Sequence, residues 1–116
     1  MKMDTQHGLI GISNDLVAAV AGAAASACFG VRGMAARSPL DGLFHLLKGE
    51  KQTRGVELRQ GSQEGLLDLD LHVALDSGVN IRTTCRTLRH QVRYRVEQTC
   101  GMAVGRITIY VETVKA

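Results

Sequence analysis

The clearest pattern in the chain is the alternation from Leu66 to Asp76, LLDLDLHVALD. Successive side chains of a strand point to opposite faces, so Leu67, Leu69, Leu71, Val73 and Leu75 share one side. Asp68, Asp70, His72, Ala74 and Asp76 share the other. This pattern predicts a sheet with one buried face and one polar face. GVELR, Gly55 to Arg59, is a shorter strand-like run, and the polar residues Gln60 to Glu64 between the two predict a hairpin. A closing strand is expected from Ala103 to Val114, where Ile107, Ile109 and Val111 alternate with Arg106, Thr108, Tyr110 and Glu112.

Two stretches follow a helical period instead. In the first, Ser13 and Asn14 supply N-cap chemistry and Asp15 suits the positive end of the helix dipole. Leu16, Val20, Ala23 and Ala27 then fall at helical spacing, flanked by Val17, Ala24 and Cys28, and Gly30 stops the run. The abundance of Ala predicts a buried helix that packs closely. The second stretch, Val79 to Thr99, follows the turn Ser77-Gly78 and ends at Gly101, with Ile81, Cys85, Leu88, Val92 and Val96 as its expected core stripe. Shorter elements fill the rest. Gly8 to Ile12 and Val31 to Arg37 read as strands, the latter ended by Ser38-Pro39, and Asp41 to Lys48 reads as a short amphipathic helix with Leu43, Phe44 and Leu47 on its apolar side. Apart from that short helix the order is β-α-β-β-β-α-β. The expected class is α+β, one domain over residues 1–116, with two long helices on one face of a mostly antiparallel sheet.

Sixteen uncharged residues, Leu16 to Val31, raise the question of a membrane anchor or export signal. The run is shorter than the roughly 20 residues a spanning helix needs and consists mostly of weakly hydrophobic Ala. Ala25-Ser26-Ala27-Cys28 resembles a lipoprotein processing box. However, the residues before Leu16 include Lys2, Asp4 and Asp15 and lack the positive segment of an export signal. The expectation is a cytoplasmic protein with no transmembrane segment, an unprocessed N-terminus and an unmodified Cys28.

The chain has 116 residues, 45% of them hydrophobic, which suits a single folded core. The three cysteines, Cys28, Cys85 and Cys100, are odd in number and widely spaced. With no C-x-x-C, and with histidines that complete no zinc pattern, they read as reduced core thiols. Asp68 and Asp70 stand two apart on one strand face, a spacing seen in acid–base carboxylate pairs. No apolar pocket or phosphate loop accompanies them, and a solvated sheet face accounts for them better. The sequence contains no recognisable nucleophile or dinucleotide motif. No catalytic residue, cofactor or metal ligand is assigned.

Charge changes the picture in one place. Between Asn80 and Cys100 lie five arginines and one glutamate, a net of +4 against +3 for the whole chain, so the remainder carries −1. Arg82, Arg86, Arg89 and Arg93 repeat a 4-3-4 spacing that places them on one flank of the helix. Tyr94, one of four aromatic rings in the chain, falls opposite the apolar stripe and is expected to be exposed beside them. Exposed Tyr next to Arg is a mixture enriched at protein interfaces. Arg82, Arg86, Arg89, Arg93 and Tyr94 form the candidate interaction surface. The same arginines offer an alternative, a nucleic-acid-binding module, against which the scarcity of aromatic residues argues.

Several segments resemble one family. Gly8-Leu-Ile-Gly-Ile-Ser13, the Ala-rich helix and Cys28-Phe-Gly-Val-Arg-Gly33-Met resemble the opening of the alkaline shock protein family of bacterial envelope stress-response proteins, and Gly55-Val-Glu-Leu-Arg59 resembles its middle. Leu69 to Ile81 resembles its strand-turn-helix segment, and Val92 to Gly101 with Val104 to Val111 resembles its ending. The compact length is most similar to the short, YloU-like branch. Asp76-Ser77 departs from the pattern, standing where many members have Tyr or Phe before the Gly. The resemblance implies a non-enzymatic protein acting as an oligomeric scaffold or protein-interaction module. The partners it implies are a second copy, a membrane-anchored stress protein, or a dihydroxyacetone-kinase-like protein encoded nearby. Its implied location is the cytoplasm, at the membrane periphery through such a partner.

Overall fold

The computed structural model describes residues 14–37, 44–47, 55–61 and 65–115. Its elements run α1 (Asn14–Ser26), β1 (Val31–Arg37), β2 (Phe44–Leu47), β3 (Val56–Gln60), β4 (Leu66–Asp76), α2 (Ile81–Cys100) and β5 (Ala103–Lys115). The class is α+β, with two helices on a five-stranded sheet that is antiparallel except for the β4–β5 pair.

β4 organises the sheet. Its alternating leucines and valines, Leu67, Leu69, Leu71, Val73 and Leu75, are fully buried with Val17, Ala21 and Ala25 of α1 and Leu88, Val92 and Val96 of α2 in one core. β5 pairs parallel to β4 along its whole length, Leu66↔Ala103 to Asp76↔Lys115, and so takes one edge of it. The other edge is divided. β3 pairs with residues 67–71 and β1 with residues 73–75, both antiparallel, and β2 lies outside β1. The parallel pair needs a crossover, and α2 supplies it in the strand–helix–strand order β4-α2-β5.

Three expectations are corrected. The segment Asp41 to Lys48 does not form the amphipathic helix its pattern predicts where it is described: Phe44–Leu47 is a strand paired with β1, from Arg37↔Phe44 to Met34↔Leu47. An apolar run this short fits either period, and an isolated two-turn helix is marginal. Pairing with β1 satisfies the backbone at once. In α1 the buried residues are Val17, Ala18, Ala21, Gly22, Ala24 and Ala25, whereas Leu16, Ala23 and Ala27 of the expected stripe are exposed. In α2 the stripe is Thr84, Leu88, Val92, Val96 and Cys100, and Ile81 is 49% exposed. Both rotations have the same cause. Each helix meets the sheet on one side and the other helix on its flank, so its contact arc is set by two neighbours, which hydropathy alone cannot locate. The strand expected at Gly8 to Ile12 lies outside the described residues.

Candidate interaction surface

α2 is fixed firmly at both ends. Asn80 caps its start, its side-chain oxygen accepting from the Thr83 N–H at 3.0 Å. Gly101 closes it in the left-handed conformation, φ 69°, with its N–H donating to the Glu97 carbonyl. With the stripe Thr84-Leu88-Val92-Val96-Cys100 on the core, the two flanks face different neighbours. Thr87, Gln91 and Arg95 line a cavity of about 270 Å³ shared with Ala23, Ala24 and Ala27 of α1 and with Cys28 and Phe29. This flank therefore faces α1.

The 4-3-4 arginines occupy the other flank, towards β5. Arg93 shows this directly: its guanidinium donates to the Val104 carbonyl, while the Glu97 carboxylate accepts from the Val104 N–H at 3.0 Å. Arg93 is thus partly buried and joins α2 to the start of β5. Arg82, Arg86 and Arg89 are exposed and form no ion pair among the described residues. Tyr94 is 56% exposed, turned away from the sheet. The structure therefore brings four of the five candidate residues to solvent and gives Arg93 a partner within the fold.

The polar face of the sheet is a set of cross-strand pairs. Asp70, only 6% exposed, accepts from the Arg59 guanidinium at 2.8 Å, and that bond holds Arg59 more firmly protonated. Asp68 accepts from the Arg106 N–H at 2.8 Å, where β5 carries an extra residue opposite it. A Cβ on Gly105 would stand 2.6 Å from that Asp68 oxygen, so a side chain there would push the carboxylate off the Arg106 N–H. Arg32 meets Asp76 at 2.8 Å. His72 stacks on Tyr110 with ring centroids 4.8 Å apart. Its Nδ1 lies 3.1 Å from a Glu112 oxygen, and its Nε2 lies 3.4 Å from Glu57, an electrostatic approach rather than a good hydrogen bond. Asp68 and Asp70 turn to separate partners instead of converging on one proton or cation. Among the described residues no group of three His, Cys, Asp or Glu side chains is placed to hold a metal ion. The His72–Tyr110–Glu112 cluster has no signal in the sequence, because it depends on register and on a second bulge opposite Val73–Ala74.

The three thiols are free. Burial pushes all of them above the ordinary value of 9.0, in Cys85 against an opposing pull from Arg89. The folded state then keeps thiol protons that the unfolded chain releases. This contribution to stability is complete below about pH 9 and is lost as pH rises through the higher folded-state values. The urea midpoint is expected to fall more steeply between about pH 8 and pH 10 in the native protein than in a variant with all three cysteines replaced by Ala. Equal slopes in the two proteins would show that the thiols contribute nothing to this dependence.

Fold and surface together describe a small α+β domain built around a parallel β4-α2-β5 unit, with an arginine flank beside its last strand. The chain belongs to the alkaline shock protein 23 family, whose function is described as cell envelope-related; residues 2–116 match the family model. It is 36% identical over 116 residues to the uncharacterized protein YloU of Bacillus subtilis strain 168, covering 99% of this chain and 95% of that protein. It is 30% identical to the uncharacterized protein Spy1614 of Streptococcus pyogenes serotype M6, covering 99% and 94% respectively. No solved structure matches the chain. Among the described residues no helix is long and apolar enough to cross a membrane.

Proposed function

We propose that this chain is a non-enzymatic protein-interaction module, acting in an envelope-related process as a scaffold that self-associates or holds a protein partner. The solvent side of α2 is the contact surface. One observation carries the reading: α2 exposes Tyr94 on its outer face and Arg82, Arg86 and Arg89 on the adjoining flank, and these arginines have no ionic partner among the described residues. Exposed guanidinium groups and an exposed aromatic ring on one helix suit a partner's carboxylates and apolar surface together. Membership, over nearly the whole chain, of a family whose function is described as cell envelope-related supports the envelope-related part of this reading.

Tyr94→Ala is expected to leave the fold intact, since the ring contributes little to the core, and to weaken capture of a native partner or self-association several-fold. Affinity capture from the native host, with sedimentation of the purified variant, makes the check. Unchanged recovery and unchanged sedimentation would remove this face from consideration. Arg82, Arg86 and Arg89, without an ionic partner among the described residues, also support a second reading, binding of nucleic acid. In that case affinity for RNA falls steeply with salt, and Arg86→Ala with Arg89→Ala flattens the slope. Binding no tighter than that of an unrelated protein of similar charge would dismiss it.

A further inference from the structure

β5 is a 13-residue strand paired on one edge by β4, and among the described residues no strand covers its other edge. Such an edge presents a row of backbone donors and acceptors ready to receive another strand. Two observations say what kind of strand fits. The Arg93 and Glu97 side chains already satisfy the backbone C=O and N–H of Val104, so the arginine flank of α2 lies against the start of β5 and the edge open to a strand begins beyond Val104. Arg82, Arg86 and Arg89, on that same flank, are exposed and unpaired among the described residues.

We propose that the outer edge of β5 receives an acidic extended segment of a protein partner, whose backbone continues the sheet and whose carboxylates meet Arg82, Arg86 and Arg89. Along α2 these arginines rise by about 6 Å and then about 4.5 Å. Alternate side chains of a strand repeat at about 6.6 Å, so acidic residues at every second position come within reach of the flexible guanidinium stems. The intervening residues fall on the opposite face, beside the half-exposed Tyr110 ring, where β-branched and aromatic side chains pack well. This is strand addition, in which backbone bonds supply affinity and the alternating side chains supply specificity.

A second copy fits this edge poorly. Antiparallel pairing of β5 with its own symmetry mate keeps both helix layers on one side of the continued sheet. It sets two rows of exposed arginines against each other across the junction, which is repulsive. The favoured occupant is therefore a chain of opposite charge. The inference rests on the protein-interaction reading and names the partner's chemistry.

The test uses the full chain and three synthetic peptides of about ten residues: one alternating Glu with Val or Thr, its Lys-for-Glu counterpart, and a Glu peptide with Pro at alternate positions. The first is expected to bind at low salt and to slow hydrogen exchange of the outward amides between Arg106 and Val114. The Lys and Pro peptides are expected to do neither. Combined Arg82→Gln, Arg86→Gln and Arg89→Gln substitutions are expected to weaken binding about tenfold or more, with an unchanged circular dichroism spectrum. Three results overturn the proposal: no binding of the Glu peptide; outward β5 amides already protected in the free chain, which means the edge is occupied; or equal binding of the Pro peptide or a single-stranded oligonucleotide without β5 protection. A native partner whose capture survives the triple substitution removes this inference and leaves the interaction module standing.

Discussion

Leu71→Ala is expected to lower the unfolding free energy by about 2–5 kcal/mol, measured as a shift in the urea midpoint at unchanged slope. Leu71 is fully buried near the middle of β4, opposite Val56 on one side and Ile109 on the other. A strand hydrogen-bonded along both edges cannot move inward to close a void, so the cost belongs towards the upper part of that range. The neighbouring helices are held too, α2 by its caps and by the Arg93 and Glu97 bonds to Val104. A loss below about 1 kcal/mol would mean that the core collapses around the cavity and that β4 is less constrained than its pairing implies.

The second large effect comes from adding volume. Ala25→Leu is expected to destabilise by about 1–3 kcal/mol or more, because Ala25 is fully buried in the core beneath α1. Ala23→Leu, two residues away, is expected to change stability by less than about 0.5 kcal/mol, since Ala23 is exposed at the groove shared with α2. From spacing alone Ala23 belongs to the buried stripe and overpacking is expected there as well. The structure moves the sensitive positions to Ala21 and Ala25 and leaves Ala23 free. Thermal or urea unfolding of the two variants side by side makes the comparison, and equal destabilisation would return Ala23 to the core.

How far each feature is legible in the sequence follows from how local its cause is. β4 is readable because one face of a half-buried strand repeats every two residues, and eleven residues are enough to show it. The limits of β1, Val31 to Arg37, are readable for the same kind of reason, since Gly30 and Ser38-Pro39 interrupt any continuing element. α2 is readable from the Ser77-Gly78 turn before it and Gly101 after it, although the structure starts it at Ile81, two residues later than the expected Val79, because Asn80 is the cap. The family segments are readable because Gly and apolar positions recur in order along the chain. β2 is not, because four apolar residues carry too little period to separate helix from strand, and β1 decides between them. The exposure of Ile81 and Leu16 is not, because a hydrophobic residue near a helix start is buried only if a neighbour reaches it.

The candidate surface divides in the same way. That Arg82, Arg86, Arg89 and Arg93 share one flank of α2, and that Tyr94 lies away from the core, follows from 3.6 residues per turn and from the position of Leu88, Val92 and Val96. The class of fold, the long elements and the arginine row are thus legible along the chain, since all of them depend on residues a few positions apart. What that row faces depends on packing. The parallel placement of β5 against β4, its two bulges and the Val104 contacts of Arg93 and Glu97 join residues from distant parts of the chain. Helical and strand periods place side chains around their own axis, and only packing against another element gives that axis a direction.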